Sequence, residues 1–119
     1  MNDKELGCDY IFSFKLNGWD WEVRLIPKEL LTKELGFEAR GFTFIDKFTI
    51  DIVAGLSKKE TMLIFTHELS HAILSTQGRA FHQKFNQEDV CNFVAWSFPT
   101  ILQLLDTFSQ WWDAKEQSL

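Results

Sequence analysis

Three residues near the middle of the chain, His67, Glu68 and His71, have the types and spacing of a zinc site and form an H-E-x-x-H motif. In an α-helix, residues four positions apart lie on the same side, one turn apart, so both imidazoles would point the same way and bind one metal ion. Glu68 would lie beside the metal's open position, where it can take a proton from a bound water whose pKa zinc lowers to about 7. The motif therefore predicts His67 and His71 as metal ligands and Glu68 as a general base.

The residues around the motif predict a helix over about residues 58–75. Ser57 and Glu60 have the spacing of a capping box, and Gly78 is a suitable helix stop. Apolar residues follow the cap through successive turns: Met62, Leu63, Phe65, Leu69, Ile73 and Leu74. The alternative is that two histidines lie by chance on an exposed polar face. The capped, amphipathic context favours the metal site.

A catalytic zinc usually has three protein ligands and a water. The downstream candidates for the third ligand are Glu88, Asp89 and His82, with Cys91 the least favoured. Glu88 is preferred because it would lie in the first turn of the following helix, which a ten-residue loop can bring alongside the histidines. An acidic residue in that turn also has a purely structural explanation, since it compensates the helix dipole. The residues alone leave Asp89 and His82 open.

Composition favours one packed domain. The chain has 119 residues, of which 45% are hydrophobic and 15% aromatic, and its formal net charge is -5. No basic cluster stands out, so nucleic acid and membrane surfaces are not expected partners. Residues 1–6 are polar and acidic, which predicts no signal peptide and a cytoplasmic location. In that compartment we expect Cys8 and Cys91 to be free thiols.

The N-terminal part of the chain predicts a β-hairpin over residues 10–26, turning at Asn17 and Gly18. Pairing outward from this turn places eight apolar or aromatic residues on one face, which we expect to meet the core: Tyr10, Phe12, Phe14, Leu16, Trp19, Trp21, Val23 and Leu25. A short helix over residues 28–35, closed by Gly36, follows.

Two further stretches, residues 41–45 and 48–53, alternate as strands around a turn. We expect one of them to form a sheet edge beside the motif helix, where an extended peptide can add as a strand. A loop from residue 75 to 85 leads to a third helix. That helix should be capped by Asn86, kinked or restarted at Pro99, and continued to about residue 113.

The chain resembles small HExxH metallopeptidases of phages and prophages, within the thermolysin-like zincin group. The resemblance covers about residues 40–100. It is carried by the strand residues 49–52, by the motif segment 67–74, and by the segment 88–95, which opens with Glu88 and reaches the small residue Ala95 seven positions later. It implies that Glu88 joins His67 and His71 as a zinc ligand and that Glu68 is the catalytic base.

The resemblance also implies a fold and a function. We expect a single α+β domain over residues 1–119, a minimal zincin-like fold with a small, mostly antiparallel sheet packed on the motif helix and the C-terminal helix. The expected activity is that of a zinc-dependent metallopeptidase of narrow specificity and mobile-element origin, with one zinc ion and a peptide or protein substrate. The alternatives are a zinc-binding protein-interaction module without turnover and a metal-free domain whose motif arose by chance.

Overall fold

A four-stranded mixed sheet and three helices make up the described part of the chain, residues 10–76 and 87–117 of this computed structural model. In chain order the elements are β1 (Tyr10–Leu16), β2 (Trp19–Ile26), α1 (Lys28–Leu35), β3 (Gly41–Phe44), a 3-10 turn (Ile45–Lys47), β4 (Thr49–Val53), α2 (Lys58–Thr76) and α3 (Gln87–Gln117). The domain is thus α+β, as predicted. No helix within these described ranges combines the length and apolar character needed to cross a membrane.

The hairpin of β1 and β2 has the predicted register, with Phe14 opposite Trp21 and Phe12 opposite Val23. Asn17 and Gly18 both have positive φ angles, 51° and 84°, as a tight hairpin turn requires. The expectation that all eight facing residues meet the core is wrong for Trp19, which is 57% exposed. Leu16, its partner across the turn, is buried, whereas the Trp19 ring packs outside the core and stacks on Phe48 with ring centroids 4.9 Å apart.

The strand order β1-β2-β4-β3 leaves β3 at an edge of the sheet. β2 and β4 run parallel, whereas β1–β2 and β3–β4 are antiparallel pairs. Because side chains alternate along a strand, one sheet face carries Val23, Ile50 and Ile52 into the main core with α2 and α3. The opposite face carries Ile26 and Val53, which pack with α1.

α2 begins at the predicted capping box. The backbone N–H of Glu60 donates to Ser57 Oγ at 3.1 Å, and this hydroxyl in turn donates to the Glu60 carboxylate at 3.2 Å. The helix ends at Thr76, one residue beyond the predicted end at about residue 75. The remainder of the predicted loop, with Gly78, and the predicted cap Asn86 lie outside the described residues.

α3 is one continuous helix across Pro99 and reaches Gln117. Of the predicted kink or restart at the proline, the restart is therefore wrong, and so is the end predicted near residue 113. Proline removes one backbone hydrogen bond from a helix, but apolar contacts on both sides of residue 99 hold this one together. Phe93 and Ile101, on either side of Pro99, are partly buried and pack against the main core. Phe108 packs on Phe65 of α2 with ring centroids 4.6 Å apart.

A buried ion pair joins β2 to β4 on the α1 face of the sheet. Arg24 donates from Nε and Nη2 to the two carboxylate oxygens of Asp51, at 2.8 and 2.7 Å. Asp51 is fully buried, and this burial raises the pKa of its carboxyl above the ordinary value of 3.8. The hydrogen bond and charge of Arg24 oppose the rise in pKa without cancelling it.

The raised pKa has a defined effect on stability. The carboxyl of Asp51 has a higher pKa in the folded protein than in the unfolded chain, so the folded state holds its proton more tightly. This contribution to stability is complete at pH values below the unfolded pKa and is lost as pH rises through the folded pKa. The unfolding free energy of the wild type, minus that of Asp51→Asn, should therefore fall as pH rises, by about 1.4 kcal/mol per unit of pKa difference. Urea unfolding across the acidic range measures this. Asp20→Asn, at an exposed ion pair, controls for the loss of one carboxylate. A difference that grows with pH would contradict the prediction.

Candidate metal site

The two motif histidines lie together on an open side of α2. The ring centroids of His67 and His71 are 5.1 Å apart, and the ring planes are inclined at 73°. The His67 side chain is 70% exposed, and His71 is partly buried. The structure thus brings together two of the predicted ligands, in the arrangement that the i, i+4 spacing gives on any regular helix.

Glu68 turns from the histidines toward the sheet and is only 8% exposed. Its Oε2 atom lies 4.0 Å from His67 Nε2, while its Oε1 atom lies 2.9 Å from the Thr43 hydroxyl of β3. The same hydroxyl is also 2.9 Å from the backbone carbonyl oxygen of Glu68. Thr43 therefore fixes the carboxylate beside His67 and leaves one oxygen on the histidine side.

Gly41, two residues before Thr43, lets β3 lie directly on α2. A Cβ atom at position 41 would stand 2.5 Å from Ile64 Cγ2 and 3.3 Å from Glu68 Cγ, closer than side chains pack. Sequence reasoning missed both strand residues as parts of the site. The sequence does contain a signal for them. Gly41 and Thr43 are two positions apart and so lie on the same face of a predicted strand, where a glycine permits close packing and a threonine hydroxyl can form a hydrogen bond.

The backbone of β3 exposes hydrogen-bonding groups at the same place. The Val53 N–H donates to the Arg40 carbonyl at 2.9 Å, so residues 40 and 53 form a hydrogen-bonded pair at the start of the antiparallel pairing of β3 with β4. Because hydrogen-bonded and non-hydrogen-bonded pairs alternate in antiparallel pairing, the N–H and C=O groups of Gly41 and Thr43 point away from β4. Among the residues that the structure describes, nothing pairs with these groups, so this edge of β3 presents unpaired strand backbone beside Glu68.

The first turn of α3 lies far from the histidine pair. Lys58 pairs with Asp113 at 2.9 Å and Phe65 contacts Phe108, so α2 and α3 run antiparallel. Glu88 lies about 20 residues before Phe108, or roughly 30 Å along the helix, whereas His71 lies only about 9 Å beyond Phe65. Glu88 therefore lies past the C-terminal end of α2.

Within residues 10–76 and 87–117, no three His, Cys, Asp or Glu side chains converge in a way that could hold a metal ion. The structure therefore does not bring Glu88, or Asp89 beside it, to the histidine pair. The other candidate third ligand, His82, lies outside the described residues. Cys91 is an exposed free thiol, as expected, and Cys8 is not among the described residues.

A shallow depression of about 300 Å³ opens beside the pair, between the start of β3 and the preceding turn of α2. Its lining residues are Arg40, Gly41, Leu63, Ile64, His67 and Glu68. The predicted base and one predicted ligand thus border a space large enough for a side chain of another molecule.

The contact at Gly41 gives a stability prediction. Gly41→Ala should lower the unfolding free energy by about 1 to 2 kcal/mol, because overpacking costs about 1–3 kcal/mol and the reduced freedom of the unfolded chain offsets about 0.4–1. In an Ile64→Ala background, where the clashing methyl is absent, the same change should cost much less. Urea unfolding of the four proteins measures this coupling. Equal costs in both backgrounds would show that the strand and helix are not in contact there.

Comparisons of the chain with protein-family models, curated proteins and solved structures found no match. The likeness to small zincins therefore rests on the motif residues and their order.

Proposed function

We propose that this chain is a zinc-dependent metallopeptidase of narrow specificity, with a minimal zincin-like fold and an origin in a phage or other mobile element. The observation that carries the proposal is the placement of the Glu68 carboxylate. It is nearly buried, anchored by Thr43, and 4.0 Å from His67 on the open side of α2. A metal site that serves only stability has no need of an anchored carboxylate beside its ligands.

The donor set fits zinc in part. His67 and His71 would hold the ion, because neutral imidazoles on one side of a helix are common zinc ligands. Glu88 remains the predicted third ligand on sequence grounds, and it would act only if the first turn of α3 came to the pair. A bound zinc would polarise the scissile carbonyl, and it would lower the pKa of a water so that the deprotonated water can act as the nucleophile.

Glu68 supplies the proton chemistry in this proposal. Its Oε2, on the His67 side, accepts the proton of the attacking water and later passes it to the leaving amine. Thr43 keeps the carboxylate in place through both transfers, because its hydroxyl bonds the other oxygen. The threonine is thus a positioning residue, since it acts through Glu68.

The edge of β3 supports a peptide as the substrate. The outward backbone groups of Gly41 and Thr43 can pair with an extended chain, which would then run past Glu68 and the histidines. Main-chain pairing of this kind holds a peptide without regard to its sequence, so specificity has to come from neighbouring side chains.

One observation favours the alternative, a zinc-binding interaction module without turnover. The N-terminal half of α3 exposes apolar side chains at four-residue intervals along one side, namely Val90, Val94 and Phe98, which are 49%, 52% and 55% exposed. Apolar groups clustered on a surface often mark a protein contact. Such a module would bind zinc and a partner but would not need the carboxylate of Glu68.

The Glu68→Gln variant separates the two functions. If the chain is a peptidase, this variant should bind zinc as the wild type does but hydrolyse a peptide library about 100- to 10,000-fold more slowly, because the general base is lost. Elemental analysis of protein purified without a chelator or metal-binding tag gives the zinc content, and mass spectrometry of the peptides gives the rate.

His71→Ala is the matched control, and it should lose both zinc and hydrolysis. Hydrolysis that survives unchanged in Glu68→Gln would refute the mechanism. Wild-type protein that takes up no zinc would refute the peptidase and the zinc module together.

Glu88→Gln tests the third ligand. Loss of a residue that only hydrogen-bonds a metal ligand lowers metal affinity by about 10- to 100-fold. If Glu88 binds the zinc itself, Glu88→Gln should therefore lower zinc affinity by more than about 100-fold. Asp106→Asn, another exposed acid on α3, should leave the affinity unchanged. Competition with a chromogenic chelator measures both. An unaltered affinity in Glu88→Gln would assign the third position to Asp89 or His82.

A further inference from the structure

The depression beside the histidine pair has one cationic wall and one apolar wall, and His67 and the Glu68 carboxylate border it on the motif side. Arg40 contributes the cation, and it is the one Arg or Lys among the described lining residues. Leu63 and Ile64 contribute the apolar wall. Leu63 is 64% exposed, an unusual position for a large aliphatic side chain on a helix that is otherwise well packed.

Arg40 can accept a further anionic partner. Its Nη1 atom lies 3.1 Å from Glu60 Oε2, and the two side chains are 69% and 45% exposed. Exposed ion pairs of this kind contribute little to stability and are readily exchanged. Glu60 is the one partner of the guanidinium within the described part of the chain. A guanidinium has five N–H donors, so donors remain for a second carboxylate.

The location of Arg40 ties this cation to the edge of β3. It immediately precedes Gly41, whose outward backbone groups are the first that an added strand would meet. A side chain projecting from a peptide on that edge would reach the depression next to His67 and Glu68. Its methylene groups would contact Leu63 and Ile64, and a terminal carboxylate would reach the guanidinium.

We propose that Arg40, Leu63 and Ile64 form a subsite that selects a carboxylate-bearing residue in an extended peptide. Cleavage next to that residue rests on the proposed peptidase function, whereas selective binding does not. The formal net charge of -5 repels acidic peptides at long range, so the preference must come from direct contact at Arg40. The carboxylate can belong to a glutamate side chain or to a peptide C-terminus.

Four pools of acetylated peptides test this proposal. Three are amidated and carry a fixed central Glu, Gln or Lys, and the fourth has a central Gln with a free C-terminal carboxylate. Binding to the ¹⁵N-labelled protein is followed by the amide shifts of Gly41, Leu63 and Ile64. The Glu pool should bind about two- to fivefold more tightly than the amidated Gln pool, as one exposed ion pair worth up to about 1 kcal/mol predicts. Tighter binding of the free-carboxylate pool than of the Glu pool would identify a C-terminus as the group recognised, and the reverse order would identify a glutamate side chain.

Variants of Arg40 locate the preference. Arg40→Gln should abolish it, and Arg40→Glu should shift it to the Lys pool. Lys47→Gln, which removes a cation beyond the other end of β3, should leave it intact. These side chains are exposed, so the variants should fold as the wild type does. A wild type that binds all four pools equally or none of them, or an Arg40→Gln variant that keeps the preference, would overturn the subsite.

The same pools distinguish the subsite from the peptidase function. Preference for a carboxylate without zinc-dependent hydrolysis would support the subsite and refute the peptidase. Hydrolysis that depends on Glu68 but ignores the carboxylate would support the peptidase and refute the subsite.

Discussion

The approach of β3 to α2 determines the shape of the candidate site. A glycine at position 41 allows the backbone of the edge strand to pass within van der Waals distance of Ile64 and Glu68. That separation is short enough for Thr43 to reach both the carboxylate and the backbone carbonyl of Glu68. With a larger residue at position 41 the strand would move outward, the Thr43 contacts would lengthen, and Glu68 would be free to turn into solvent.

The same approach explains why Glu68 and His67 have different surroundings although they are adjacent in sequence. Successive residues on a helix differ by about 100° in direction, so one turns to the strand and the other to the open side. The two side chains nevertheless approach each other, with 4.0 Å between His67 Nε2 and Glu68 Oε2. A buried, anchored carboxylate next to an exposed imidazole is an arrangement that neither a surface helix nor a fully buried one would provide.

The sequence predicted the features that depend on local chemistry. The Asn17–Gly18 turn set the hairpin register because that dipeptide accepts positive φ angles, and the Ser57–Glu60 box marked the start of α2. The i, i+4 histidines were likewise readable, because helix geometry alone makes them neighbours. The exposure of Trp19 and the continuity of α3 through Pro99 were not predictable, because both depend on packing between elements distant in the chain. Thr43 was missed for the same reason, since its contact with Glu68 joins residues 25 positions apart.

The elements that form the candidate site are consecutive in the chain, and this affects which substitutions can disturb the site. β3, β4 and α2 follow one another, and the lining of the candidate site comes from β3, α2 and Arg40, the residue just before β3. The β1–β2 hairpin, α1 and most of α3 support this segment from outside by covering its apolar surfaces. Substitutions in those outer elements should therefore change how firmly the domain holds together while leaving the geometry around Glu68 unaltered. Any third ligand of the proposed metal site would have to come from another part of the chain, because no third His, Cys, Asp or Glu converges with the histidine pair among the described residues.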